Sequence, residues 1–161
     1  MVTHSLLTAK NRASLGQLAF WYGVSAFGLM LIYFMLISAL GLQRYAAVLL
    51  GGNALLAVAV FFAVHAYEKQ ANGPASHFVG LGLGFLVGLF GSALFAGFVF
   101  LYATVLSAEY SAEMRSQPYF NASLSPTELA ETIMLFGVVV GTLTGYAVMM
   151  TDSFPQPPTY H

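Results

Sequence analysis

Two histidines, one amide and a group of carboxylates are the side chains here whose chemistry could make a site. His65 and His77 stand on either side of the polar stretch Glu68 to Ser76. On neighbouring helices they would share a depth, and paired imidazoles can ligate a haem iron or another metal. Both also fall near helix ends, where an imidazole can rest at a wet interface without a ligand. They are kept as candidate ligands, and no metal or cofactor is assigned. Asn53 is the one amide within an apolar block. In hydrocarbon it is costly unless paired. It reads as an interhelical hydrogen bond to a serine or threonine, or as a contact to a small solute or lipid in a cavity.

Glu109, Glu113, Glu128 and Glu131 gather around the longest polar stretch. They sit at helix ends, so they read as a solvated acidic face. The run Gly80-Leu81-Gly82-Leu83-Gly84 is glycine-rich but not a nucleotide fingerprint. Val87 stands where the spacing from Gly82 and Gly84 would require glycine, and the run lies in an apolar block. Asn121-Ala122-Ser123 matches a glycosylation acceptor, a pattern that matters only in a secretory pathway.

The elements that must position these residues are membrane helices. The chain is 58% hydrophobic and 7% charged, against roughly 25% charged in a soluble domain. No Asp, Glu, Lys or Arg lies inside the four apolar blocks. Proton relays, ion pathways and voltage sensors need such residues there, as does hydrolytic chemistry. The expectation is therefore a protein that is not an enzyme, with no catalytic residue. The 161 residues include no cysteine, which removes disulfides, iron–sulfur clusters and thiolate zinc sites. No basic block points to nucleic acid.

Residues 1–17 form a polar N-terminal segment, 18–150 a transmembrane domain, and 151–161 a proline-rich tail. The first span runs from about Leu18 to Leu42, too long for a signal-peptide core, with Trp21 and Tyr22 as interfacial anchors. A break at Gly41 to Arg44 leads to the second span, Tyr45 to Tyr67. Asn72-Gly73-Pro74 marks a turn. The third span, 78–106, continues as a polar helical extension through Glu109 and Arg115. Ser125-Pro126-Thr127-Glu128 has the make-up of a capping box, leading into a fourth span over Ile133 to Met150. Lys10, Arg12 and Lys69 fall on one side, and Arg44 and Arg115 on the other, which puts both termini in the cytoplasm.

Two rows of small residues are the strongest pattern. Gly80, Gly84, Gly88, Ser92 and Ala96 fall four apart, as do Gly137, Gly141 and Gly145. A glycine within a helix costs roughly 1 kcal/mol relative to alanine in water, so such rows make sense where helices approach backbone to backbone. Gly82 lies off the main row. The rows predict packing of spans three and four on each other; the alternative is that one row faces another subunit.

The layout resembles a family of small four-helix bacterial inner-membrane proteins, common in Bacteroidota, of unknown function. The resemblance covers about 18–150 and rests on the tight first hairpin and on Phe78, Gly80 and Gly84 opening the third span. It rests also on the close Phe98-Val99-Phe100-Leu101-Tyr102, on Tyr110, and on the acidic helix start at Glu128. The tail departs from it, being proline-rich where a lysine-rich end is expected. The resemblance implies a bacterial inner membrane and no catalytic residues.

The fold expected is all-α, a four-transmembrane-helix bundle with glycine-ridged third and fourth helices. The leading functional expectation is a non-catalytic subunit or assembly partner of a larger membrane-protein complex, its partners being the lipid bilayer and other membrane subunits. The alternative is a small-solute or lipid-handling protein with a cavity near Asn53. A weaker alternative is a haem- or pigment-binding electron-transfer subunit using His65 and His77.

Overall fold

Ser14 opens the first helix, its hydroxyl accepting from the Gln17 amide at 3.2 Å, which satisfies one of the free N–H groups of a helix start. The structure, a computed structural model, describes residues 14–42, 48, 50–71, 76–106 and 125–152. Helix α1 spans Leu15–Ala39 without a charged residue. It ends at Gly41, whose φ of 66° lies in the left-handed region. Gly41 N–H donates to Ser38 O at 3.0 Å and Leu42 N–H to Ile37 O at 2.9 Å, the paired bonds of a Schellman stop.

Helix α2 spans Gly52–Ala71. The sequence predicts a continuous span from Tyr45; instead the chain turns at Gly51 before α2 begins. Gly51 N–H donates to Val48 O, and Ala54 N–H to Gly51 O, both at 3.1 Å. The reason lies on α1. The Tyr33 hydroxyl donates to Val48 O at 2.6 Å, so a side chain enters the helical ladder and interrupts it. A Cβ on Gly51 would stand 2.6 Å from that hydroxyl, so glycine is what lets the tyrosine in.

Helix α3 spans His77–Leu101 and widens into a π-turn over Tyr102–Leu106, where ordinary helix is predicted. The change of pitch falls at a ring cluster. Phe34 of α1 meets Phe95, Phe98 and Tyr102 edge-on, with centroids 6.1, 5.6 and 5.3 Å away. Helix α4 spans Pro126–Asp152. Its start is a capping box: Ser125 N–H donates to Glu128 Oε2 at 2.7 Å, and Glu128 N–H to Ser125 Oγ at 3.3 Å.

Helix α3 is the centre, packing against α4, α1 and α2, while α2 also bridges α1 and α4. Half of its apolar window is buried, against 28% for α1 and 33% for α4. Phe34, Met30, Leu56, Leu83, Val60, Val64, Val87 and Val99 fill the interior. Large apolar side chains also cover the outside, including Ile32, Leu135 and Leu143. A surface so apolar fits a bilayer and not water.

Among the described residues three helical segments are long and apolar enough to cross a membrane: Leu15–Ala39, Phe78–Val105 and Pro126–Thr151. Within its described residues α2 does not join them. Its unbroken apolar run, Ala54 to Val64, covers about 16 Å at 1.5 Å per residue, against a hydrocarbon core of about 30 Å. Residues 1–13, the turn at Asn72-Gly73-Pro74, Arg44, Glu109 to Arg115, Asn121 and residues 153–161 lie outside the described residues, whereas residues 151 and 152, assigned to the tail from the sequence, instead complete α4.

Candidate functional site

The glycines of α3 and α4 meet. A Cβ on Gly80 would stand 3.0 Å from Gly145 O, and one on Gly88 would stand 2.8 Å from Gly137 O. Between them, a Cβ on Gly84 would strike Gly141 O, and one on Gly141 would stand 2.5 Å from Gly84 O. Rising numbers on α3 meet falling numbers on α4, so the helices cross antiparallel along this seam. Side chains are missing on both sides, and the backbones touch directly. Gly82, off the row, has open space around its Cβ position.

Ser92 closes the seam. It is wholly buried, and its hydroxyl lies 2.6 Å from Gly88 O and 3.2 Å from Met134 O. The first bond is local, and the second reaches across to α4. Gly137 faces Ser92 with no room for a Cβ, its position lying 2.8 Å from the Ser92 oxygen. The small residue opposite is what allows a polar atom to be buried and partnered.

A second close crossing was missed by sequence reasoning. Gly23 of α1 lies against Phe90 and Gly91 of α3: its Cβ would stand 2.6 Å from Phe90 Cβ and 3.3 Å from Gly91 N. A Cβ on Gly91 would meet Leu56, Ala26 and Gly23 between 3.1 and 3.3 Å. The signal was present as small residues at Ala19, Gly23 and Ala26, spaced four and three apart along the stripe that α1 buries. Helix α3 is thus approached closely on two faces.

Among the described residues the polar candidates do not converge. Asn53 is the second residue of α2, two residues after the Gly51 break, and not in the middle of a continuous span. Its Oδ1 is buried with no hydrogen-bond partner among the described residues, so the expected bond to a serine or threonine is not made there by any of them. Glu68 Oε1, near the other end of α2, is buried in the same way. The His65 ring lies 4.4 Å from that of Phe61, and its Nδ1 is 3.3 Å from Phe61 O. His77 begins α3, and its side chain lies outside the described residues. Among the described residues no three His, Asp or Glu side chains stand together to hold a metal. Thr142 bonds to its own helix at Val138 O, 2.7 Å away.

One groove opens on the outer side of α3 and α4, with a volume of about 300 Å³. Ala93, Ala96, Gly97 and Phe100 line it from α3, and Thr127, Ala130, Glu131 and Met134 from α4. Asn53 is not part of it. No protein-family model, curated protein or solved structure matches this chain.

Proposed function

We propose that this chain is a non-catalytic membrane subunit or assembly partner of a larger membrane-protein complex. In this reading it sits in a bacterial inner membrane as a bundle of four spans, with both termini in the cytoplasm. The observation that carries the reading is the α3–α4 seam, in which Gly80, Gly84 and Gly88 lie against Gly145, Gly141 and Gly137. Backbones in direct contact make a rigid centre with no room between them for a solute. The outer faces and helix ends are then the working surface. The test is purification from native membranes in a mild detergent, followed by native mass spectrometry. The reading expects protein partners in fixed stoichiometry; a chain that always emerges without them would overturn it.

A second reading rests on Asn53, whose buried Oδ1 lacks a partner and would suit a hydrogen-bond donor from a small solute. It predicts a ligand that stays with the wild-type chain and is lost from Asn53→Leu. The histidine reading predicts a visible absorption band in the same purified sample.

A further inference from the structure

The groove on the outer side of α3 and α4 divides by chemistry along its length. Ala96 and Ala130 form its floor, and Ala93, Gly97, Phe100 and Met134 its apolar walls. Thr127 and Glu131 lie toward one end, within the first two turns of α4. A helix start with a capped polar first turn belongs at the membrane interface, so the groove runs from head-group level inward. Among the described residues it carries one charge, the Glu131 carboxylate, and no Lys or Arg.

We propose that this groove seats one acyl chain of a membrane phospholipid whose head group carries a primary amine, with Glu131 receiving the amine. The proposal goes beyond the subunit reading and does not depend on it. Three features select this occupant. The apolar stretch starts at the interface and continues inward, as an acyl chain does. Among the described residues Glu131 is the one charge that lines the groove; its carboxylate attracts an ammonium, can accept hydrogen bonds that a primary amine gives and a trimethylammonium cannot, and repels an anionic head group. The groove is also short. Its lining on α3 ends at Ala93, and the next residues on that face are Leu89 and Leu86. From Ala93 to Phe100 is about 10 Å at 1.5 Å per residue, well below the length over which the glycine seam joins two helices. The volume of about 300 Å³ is at the lower end of ligand pockets.

The experiment uses the full chain, delipidated in detergent and offered phosphatidylethanolamine, phosphatidylcholine and phosphatidylglycerol in equal amounts. Native mass spectrometry reads the lipid adducts. Phosphatidylethanolamine should exceed phosphatidylglycerol by roughly two- to fivefold, the range of an exposed charge pair, and should also exceed phosphatidylcholine, whose ammonium has no N–H to donate to Glu131; parity with phosphatidylcholine would overturn the choice of a primary amine. Gly97→Leu and Ala93→Leu should each abolish that preference by filling the groove. Gly97 has open space at its Cβ position, so the leucine can enter without moving the backbone. Glu131→Gln should keep lipid binding and lose the head-group preference, and its exposed site keeps the test valid if a leucine variant fails to fold. Equal binding of the three lipids, or an unchanged preference in the leucine variants or in Glu131→Gln, would overturn the proposal. So would a stoichiometric protein chain released by Gly97→Leu, because the occupant would then be a partner helix.

Discussion

Gly84 and Gly141 each occupy the space that the other's side chain would need. A Cβ on Gly141 would stand 2.5 Å from the Gly84 carbonyl oxygen, and a Cβ on Gly84 would strike the carbonyl of Gly141. The obstacle is backbone in both directions, so rotamer changes cannot relieve it.

Leucine at either position should therefore part α3 from α4. Overpacking a tight core costs about 1–3 kcal/mol, and backbone obstacles put this site at the upper end. Gly82→Leu, on the open side of the same helix, should change stability by no more than about 0.5 kcal/mol. Thermal melting of the helical signal in detergent compares the two. Equal losses would remove the seam from its central place.

Ser92→Ala should cost about 0.6 kcal/mol, the average for a hydrogen bond between membrane helices. Its hydroxyl links Gly88 O and Met134 O, and alanine fits the same space. Ser92→Leu should cost far more, because Gly137 leaves no room opposite. Reversible unfolding in mixed micelles gives both values; a neutral leucine would contradict the packing.

Tyr33→Phe keeps the ring and removes the donor to Val48 O. The loss should be about 1 kcal/mol. Amide exchange at Gly51 to Ala54 should quicken, while the seam on α3 and α4 stays protected. Unchanged exchange at the break would mean that the hydroxyl does not hold it.

Asn53→Leu should be neutral or stabilising, since a buried unpaired polar group costs about 1–3 kcal/mol and Asn53 Oδ1 has no partner among the described residues. A marked loss of stability in the same melting assay would show that the amide is paired in the membrane.

What could be read from the sequence was local or periodic. Ser125 and Glu128 announce their capping box because the partners are three residues apart. The rows at Gly80, Gly84 and Gly88 and at Gly137, Gly141 and Gly145 are visible because four residues nearly close a helical turn. Features set by distant partners were not visible. The break at Gly51 depends on Tyr33, which reaches it from another helix. Gly23 against Gly91 pairs a glycine in the small-residue stripe of α1 with one on α3 outside the four-spaced row, and which helix that stripe meets depends on the fold. The groove at Ala93 and Gly97 exists only once Ala130 and Met134 are beside it. Asn53 was legible as a polar intrusion, but its lack of a partner depends on what the other helices present.

The most direct test of the seam is disulfide trapping in native membranes, which the absence of native cysteine makes clean. Ser92→Cys with Gly137→Cys pairs two facing small residues, one by an isosteric exchange; a Cβ on Gly137 would overlap the Ser92 Cβ, so the helices must part by roughly 1–2 Å to reach the Cβ separation of a disulfide. Mild oxidation should give a crosslink within one chain, seen as a monomer whose mobility shifts on reduction. A crosslink between two chains, or no crosslink while the paired thiols remain reactive, would contradict the account that α3 and α4 of one molecule close on each other.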